Sequence, residues 1–369
     1  MPISLKHTTQ ATGTDAGNGE IRKAQWNEEH TLTSATNVVI GRATAGTGAV
    51  EELAPGSGLA IGAGALAANT INRVINGCFR IDQRNSGASQ TFTAGAALAY
   101  AADRWYGYCT GANVTGQRIA ISNAQNRYRF TGAASVTGVG LGQRIEALNS
   151  LDLAGGNAVL QVKASSSSLT SLGWAVYYAT TTDSFGTLAA PTRTLISSGT
   201  FTITSTEATY TASFAVSSAA TTGLEIVFTG GALLASQTLT IGDVQLEAGS
   251  VATPYVRRPI SLEQTLCYRY FQRHVDPPLR GVFATTTLGT QMAMTIAEMR
   301  AAPTATISGT LSIYDGTATG TATAISAQSS NVKCIEMNLT AATGTFTAGR
   351  PAIVYVNTGA GAISLAAEL

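Results

Sequence analysis

The sequence predicts an all-β protein, on three observations. Short runs of alternating apolar and polar residues recur about every 10 to 15 residues over most of the chain. Glycine contributes 39 of the 369 residues and interrupts many of these runs, as turn residues do. Only 12% of the residues are charged, against about 25% in an average globular protein. Such a chain favours short strands that carry small side chains and are joined by many turns.

Composition also limits the classes of function. A net charge of +1 provides no basic surface for nucleic acid. No run of about 18 consecutive apolar residues occurs, so the sequence predicts no membrane insertion. Residues 1–6 lack the layout of a signal peptide, and we expect synthesis in a cytoplasm. None of the four cysteines has a CxxC spacing, which predicts free and mostly buried thiols, with a Cys78–Cys109 disulfide as the alternative.

Residues 1–70 divide into two segments. Residues 1–35 form a leader in which Glu20–His30 has a weak helical pattern. Residues 36–70 carry short β-like runs broken by glycine, such as Val38–Ile40 and Leu59–Ile61. One chain with strands this short cannot bury a core, whereas three chains wound together can, so we predict a trimeric β shaft. A flexible linker is the alternative, although a linker would avoid recurring apolar residues.

Residues 71–258 are predicted to form the largest domain. Roughly eight strands with long helix-free loops between them suit an antiparallel sandwich of two sheets. The alternating runs that carry this prediction include Arg127–Thr131, Ala158–Lys163, Trp174–Tyr178, Leu224–Phe228 and Thr238–Leu246.

Residues 259–369 are predicted to form a short connector helix followed by a smaller β-sandwich. Ser261 and Gln264 have the spacing of a capping box, which indicates the start of a helix. Three further β-like runs follow, at Thr310–Tyr314, Cys334–Leu339 and Ala352–Val356.

Several segments of the sequence resemble parts of the proteins of one family. Ile75–Arg84 and Gly242–Tyr255 resemble the opening and closing strands of a jelly-roll, carbohydrate-binding-module-like domain of phage fibre and appendage proteins. Asp103-Arg104-Trp105 follows where that family usually places it. Gln25–His30 resembles a segment near the N-terminus of phage appendage proteins, and Met299–Thr304 resembles a phrase of fibre tip domains.

This resemblance implies a homotrimeric tail fibre or spike on the surface of a phage virion. The leader would dock onto other virion proteins through Gln25, Trp26, Asn27 and His30, with a cap packed on its own trimer as the alternative. The two sandwiches would project outward and adhere to a host cell-surface glycan, namely a polysaccharide. A purely structural part of the particle, such as a head or neck decoration or a connecting segment, is the alternative function. A polysaccharide depolymerase is the third.

The residues for catalysis are sparse, and we predict that the protein is not an enzyme. The three histidines are His7, His30 and His274, and no GxSxG nucleophile motif occurs. The main domain has many carboxylates, but their spacing selects no glycosidase pair. The glycine-rich run Gly138–Gly142 fits no phosphate-binding pattern and predicts a hairpin.

The aromatic residues of the main domain are the candidates for sugar binding. Sugars present apolar C–H faces that stack on aromatic rings, and aromatics are only 7% of this chain. They cluster in two places, which predicts Trp105, Tyr106, Tyr108, Trp174 and Tyr177 as carbohydrate-binding residues. Alternate residues of a strand face opposite ways, so packing of some of these rings in the core is the alternative.

We predict no cofactor and no catalytic residue. Jelly-roll binding modules of the kind that the chain resembles often hold a structural calcium ion through carboxylates and backbone carbonyls. Asp243 or Glu247 would contribute to such a site here. Exposed carboxylates on the outer face of a strand are the alternative.

Overall fold

The computed structural model describes residues 72–95, 97–122, 125–355 and 361–369, together with six short strands within residues 3–68. The chain divides into two compact units, Met1–Thr70 and Ile71–Leu369. The described residues include one α-helix and otherwise form mainly antiparallel strands, which confirms the predicted all-β class. None of their helices is long and apolar enough to span a membrane.

The strands of the first unit form three antiparallel pairs: β1 (Ile3–Leu5) with β2 (His30–Leu32), β3 (Val39–Gly41) with β4 (Glu51–Leu53), and β5 (Leu59–Gly62) with β6 (Ala65–Ala68). Isolated two-stranded sheets are marginally stable in water, which is the argument for the trimeric shaft, and that shaft stays a prediction. Of the predicted attachment residues, Gln25, Trp26 and Asn27 lie outside the described residues, whereas His30 begins β2.

The second unit begins with a sandwich of two six-stranded sheets. Sheet 1 has the strand order β16-β13-β18-β11-β10-β7, and sheet 2 has the order β15-β14-β17-β12-β9-β8. Two short 3-10 turns, at Ala147–Asn149 and Leu151–Leu153, follow β12. The strands are β7 (Gln90–Phe92), β8 (Ala99–Tyr100), β9 (Trp105–Thr110), β10 (Val114–Ser122), β11 (Gln125–Thr131), β12 (Gly138–Ile145), β13 (Asn157–Ser166), β14 (Ser171–Ala179), β15 (Arg193–Thr202), β16 (Ala208–Ala215), β17 (Leu224–Gly230) and β18 (Thr238–Ala248).

An aromatic core fills the space between the two sheets. Phe79 packs on Trp105 with ring centroids 5.1 Å apart. Phe92 and Tyr128 each pack on Phe130 at 5.4 Å. All five rings are buried, and full burial of one such side chain contributes about 1.5–3 kcal/mol to the free energy of unfolding. The alternation of the strands therefore supplies the inner face that holds the sandwich together.

The opening and closing segments of the sandwich lie side by side. Val244 N donates to Gly77 O at 3.0 Å, and Arg73 N donates to Leu246 O at 2.8 Å. Asn72 Nδ2 donates to Val244 O at 3.0 Å. These bonds run along the edge of β18 beyond its pairing with β11. The segment after β18 meets its polar side chains, since Val256 N donates to Gln245 and Thr253 N to Glu247, and residues 239–247 are all buried. The first and last segments of the sandwich are thus hydrogen-bonded to each other.

The helix α1 (Ile260–Tyr268) follows the sandwich, and its start corrects the predicted capping box. The helix begins after Pro259, and Ser261 lies inside it rather than at the cap. Proline suits this end because it has no N–H to leave unpaired. Glu263, in the first turn, is buried and accepts from Asn76 N and Arg258 Nη1. The first turn therefore ties the helix to the sandwich.

The remaining strands form a closed six-stranded barrel, in the order β20-β21-β25-β24-β23-β26, and a three-stranded sheet in the order β19-β27-β22. These strands are β19 (Phe271–Val275), β20 (Arg280–Phe283), β21 (Leu288–Thr295), β22 (Thr304–Ser308), β23 (Leu311–Tyr314), β24 (Thr319–Ser330), β25 (Cys334–Thr343), β26 (Pro351–Tyr355) and β27 (Ala362–Ala366). We predicted two facing sheets here, and the difference arises because β20 pairs with β26 as well as with β21. Closure leaves no edge of this sheet unpaired.

All four cysteines are free, as predicted, and no Cys78–Cys109 disulfide is present. Cys78, Cys109 and Cys267 are buried, whereas Cys334 is exposed. Burial raises the pKa of each of the three buried thiols above its ordinary value, which keeps them protonated at neutral pH.

Candidate functional site

The outer face of sheet 2 carries a groove with a volume of about 370 Å³. Strand pairing defines which side chains line up across it. One row runs across five strands and consists of Tyr108, Gly140, Thr229, Gly173 and Thr200. Small and hydroxyl-bearing side chains thus occupy most of this row, with an aromatic ring at one end.

The next row across the same strands consists of Tyr106, Gly142, Val227, Ala175 and Ser198. Four of these positions again carry small or aliphatic side chains. On β17, β14 and β15 the sheet surface under both rows is therefore low, and that is why a groove exists here.

Glycines of β12 make room for two tyrosine rings. A Cβ on Gly140 would overlap the ring of Tyr108, and a Cβ on Gly142 would overlap the ring end and hydroxyl of Tyr106. The run Gly138–Gly142 is therefore part of a central strand of sheet 2, and the predicted hairpin is wrong. Its alternate glycines face outward, where each leaves space for a ring of the neighbouring strand.

Three of the five predicted sugar-binding residues line the groove: Tyr108, Trp174 and Tyr177. Tyr108 and Tyr177 are half-buried side chains of the outer face. Trp174 belongs mainly to the core, where it packs between Phe201 and Phe214, and it is 8% exposed. Residues far apart in the sequence are thus brought to one surface.

The other two predicted residues, Trp105 and Tyr106, are buried, and the prediction is corrected at both positions. Trp105 faces the interior and donates its indole N–H to Asn76 O at 3.0 Å. Tyr106 shares the outer face with Tyr108 but is 1% exposed. Its hydroxyl donates to Glu225 Oε1 at 2.7 Å, and burial raises its pKa. Neither ring is available to a ligand in this structure.

A buried ion network borders the groove. Glu225 is fully buried and accepts from Arg144 Nε at 2.9 Å and from Arg193 Nη1. The Arg193 guanidinium lies 4.1 Å from the centre of the Tyr177 ring. Burial acts to lower the pKa of Arg193, but the Glu225 carboxylate outweighs it and raises that pKa above its ordinary value. Arg193 therefore stays charged at the edge of the groove.

Sequence reasoning missed Arg193, Glu225 and the role of Gly140. A signal for Glu225 was available, because it is a charged residue within the otherwise apolar run Leu224–Phe228. A buried charge of this kind requires a partner. The partner could not be read from the sequence, because Arg193 and Arg144 reach Glu225 only through strand pairing.

The carboxylates considered for calcium are already engaged by other groups. Asp243 pairs with Arg127 at 3.0 Å and with Lys163 at 3.4 Å. Glu247 accepts from both the backbone N–H and the hydroxyl of Thr253 at 2.7 Å. Within the described ranges, no group of three or more His, Cys, Asp and Glu side chains could hold a metal ion.

A second cleft, of about 580 Å³, lies beside the barrel and is lined by Arg273, His274, Pro277, Pro278 and Met294 among others. Burial lowers the pKa of His274, and its Nε2 has no hydrogen-bond partner among the described residues. The described residues that line this cleft include no Asp or Glu and no tyrosine or tryptophan.

Comparisons with known proteins gave structural neighbours only. No protein-family model and no curated protein matches the chain. A CBM4 carbohydrate-binding module aligns at 14% identity and a TM-score of 0.30, over 47% of this chain and 98% of that chain. TmCBM61 in complex with β-1,4-galactotriose aligns at 12% identity and 0.28, over 48% and 99%. The enzymatically active domain of tailspike protein 4 of bacteriophage CBA120 aligns at 13% identity and 0.29, over 48% of this chain and 22% of that one.

Proposed function

We propose that this protein binds carbohydrate in the groove on the outer face of sheet 2. The observation that carries the proposal is the placement of Tyr108 and Tyr177 on the same open surface as the hydroxyls of Ser198, Thr200 and Thr229. Aromatic rings offer stacking surfaces for the C–H faces of a sugar. Hydroxyl groups both donate and accept hydrogen bonds, as sugar hydroxyls require.

The dimensions of the groove suit a short stretch of a polysaccharide. The Tyr108 ring lies over Gly140 of β12, so the open floor runs from there across β17 and β14 to β15, and three strand spacings of about 4.8 Å make it roughly 14 Å long. Gly173 and Ala175 in the middle leave the floor open along this length. A linear saccharide can therefore lie across the strands with Tyr108 at one end and the hydroxyls of β15 at the other.

The biological role that we propose is adhesion of a phage, or phage-derived, particle to a host cell-surface polysaccharide. The order along one chain of the segments that resemble phage fibre and appendage proteins supports this role. In this proposed role, the chain is a homotrimeric, non-enzymatic fibre or spike of the virion surface. It is attached to other virion proteins through Gln25, Trp26, Asn27 and His30. Three copies would raise the affinity of a weak single site through avidity.

The test is binding of the fluorescently labelled chain to candidate host cells before and after periodate oxidation of surface sugars. The groove predicts binding that periodate abolishes and that Tyr108→Ala reduces at least tenfold. Tyr355→Ala is the matched control, because Tyr355 is a half-buried tyrosine of the barrel. Binding that survives periodate, or that both variants reduce equally, would contradict the groove. Absence of binding across an adequate host panel would favour a structural role in the particle, and loss of polysaccharide viscosity would favour a depolymerase.

A further inference from the structure

We infer that the groove selects an acidic polysaccharide, with Arg193 as the contact for the carboxylate of a sugar acid. This inference rests on the proposed carbohydrate-binding function and narrows its ligand class. It follows from the partly exposed guanidinium of Arg193, from the N–H groups that it leaves unused and from its stacking on Tyr177.

The carboxylate of the ion network that borders the groove is already engaged. Glu225 is the carboxylate between two guanidinium groups, those of Arg144 and Arg193. It also accepts from the hydroxyl of Tyr106. The Glu225 side chain is fully buried and its oxygens are occupied, so it is not available to bind a sugar hydroxyl. The donors that this network can offer to a ligand anion are therefore those of its guanidinium groups.

Arg193, rather than Arg144, presents free donors to the groove. Arg144 donates through Nη1 to Leu369 O at 2.7 Å and through Nη2 to Gly186 O at 3.0 Å, and its side chain is 8% exposed. Arg193 makes a single hydrogen bond with the described residues, through Nη1 to Glu225, and its side chain is 18% exposed. Its Nε and Nη2 groups are therefore free to donate to a ligand in the groove.

The surroundings of Arg193 favour a planar anion. The Tyr177 ring lies behind the guanidinium at 4.1 Å, which holds the group in a fixed plane. A guanidinium held in this way can bind a carboxylate through two parallel hydrogen bonds. Among the described residues that line the groove there is no Asp or Glu, so a sugar carboxylate meets no like charge from them. A neutral sugar offers no anionic group to the free Nε and Nη2 of Arg193.

The experiment uses the surface polysaccharide extracted from cells that the labelled chain binds in the periodate test. One half is kept native, and the uronic carboxyls of the other half are reduced to alcohols, which removes the charge and keeps the sugar backbone. We expect the wild-type chain to bind the reduced polymer at least tenfold more weakly. Binding of the native polymer should also fall as salt rises, because the contact is ionic.

Variants assign the effect to Arg193. Arg193→Gln should lose affinity for the native polymer and bind native and reduced polymers equally, whereas Arg193→Lys should keep part of the preference. Arg350→Gln, at an exposed arginine of the barrel, is the matched control and should behave as wild type. A polysaccharide without acidic sugars, or equal wild-type affinity for both polymers, would overturn the inference and leave the proposed function intact. Failure to bind any cell or polymer would instead count against the proposed function itself.

Discussion

The ring of Tyr108 occupies the space into which a Cβ on Gly140 would project. The two residues are directly paired between β9 and β12, so the ring at one end of the groove depends on the absence of a side chain on the next strand. Gly140→Ala should therefore displace the ring, cost about 1–3 kcal/mol of unfolding free energy through overpacking, and weaken glycan binding at least tenfold. Denaturant unfolding and the cell-binding assay measure the two effects.

Gly231→Ala is the control for this prediction. Gly231 lies just after β17, and the nearest atom to a Cβ there would be a Leu169 methyl carbon at 3.9 Å, an ordinary contact. We expect both its stability and its glycan binding to stay close to wild type. Unchanged binding in Gly140→Ala would show that the position of the Tyr108 ring does not matter to the ligand.

The Glu225 carboxylate should be a major contributor to the stability of sheet 2. Glu225→Gln leaves Arg144 and Arg193 without their shared counter-charge in a buried site. Removal of one partner of a buried ion pair typically costs about 3–5 kcal/mol. Glu298→Gln removes the exposed partner of Lys333 and should cost about 0–1 kcal/mol. Equal urea midpoints for the two variants would contradict the importance of the network.

The sequence allowed the class of fold and part of the site to be predicted, for a specific physical reason. Alternation of apolar and polar residues is local, so runs such as Leu224–Phe228 predicted strands that the structure contains. Aromatic side chains are conspicuous by type, so Tyr108 and Tyr177 could be selected as candidates. Alternation also indicated that Trp105 and Tyr106 face opposite ways, but not that neither would be exposed.

What could not be predicted depends on which strands pair. Arg193 and Glu225 are brought together because β14 lies between β15 and β17, and no local pattern encodes that order. The closure of the barrel has the same origin, because it requires the pairing of Arg280 with Ile353 and its neighbours. Likewise, Tyr106 is buried because Arg144 and Glu225 lie beside it, and not because of its own strand.

Asp103 should make the stability of the protein fall as pH rises. The side chain is buried, and burial raises its pKa from 3.8 to about 6, although Gln83 donates two hydrogen bonds to it. The folded state therefore binds the proton more tightly than the unfolded state, so its contribution is fully present below pH 4 and is lost as pH rises through about 6. The change amounts to about 3 kcal/mol.

Denaturant unfolding of wild type and Asp103→Asn between pH 4 and pH 7 measures this contribution. Other carboxyl groups titrate in the same window, but they are common to both proteins, so the difference between the two curves isolates Asp103. We expect the stability advantage of wild type over the variant to shrink with rising pH. Parallel curves would refute the raised pKa.

Glu368 should couple the two domains that the sequence predicts, residues 71–258 and 259–369, which lie in one compact unit of the structure. Its carboxylate pairs with Arg84 at 2.7 Å and with Arg104, both of which belong to the sandwich. The Arg104 side chain is 1% exposed and lies 3.4 Å from the centre of the Tyr270 ring. Glu368→Gln therefore leaves a buried guanidinium without its carboxylate partner, at a cost of about 3–5 kcal/mol. Because this cost falls on the contact between the two domains, we expect one calorimetric unfolding transition to separate into two.

Limited trypsin digestion offers a second readout of the same coupling. Arg257 is exposed and lies in the segment between β18 and α1, so cleavage there should accelerate when the two domains come apart. Glu336→Gln is the control, because Glu336 is a half-buried carboxylate on the barrel strand β25, and it should leave both the transition and the digestion rate unchanged. A single transition at an unchanged temperature in Glu368→Gln would mean that the domains are held together by other contacts, such as the cation–π contact of Arg84 with Phe271, without a contribution from this carboxylate.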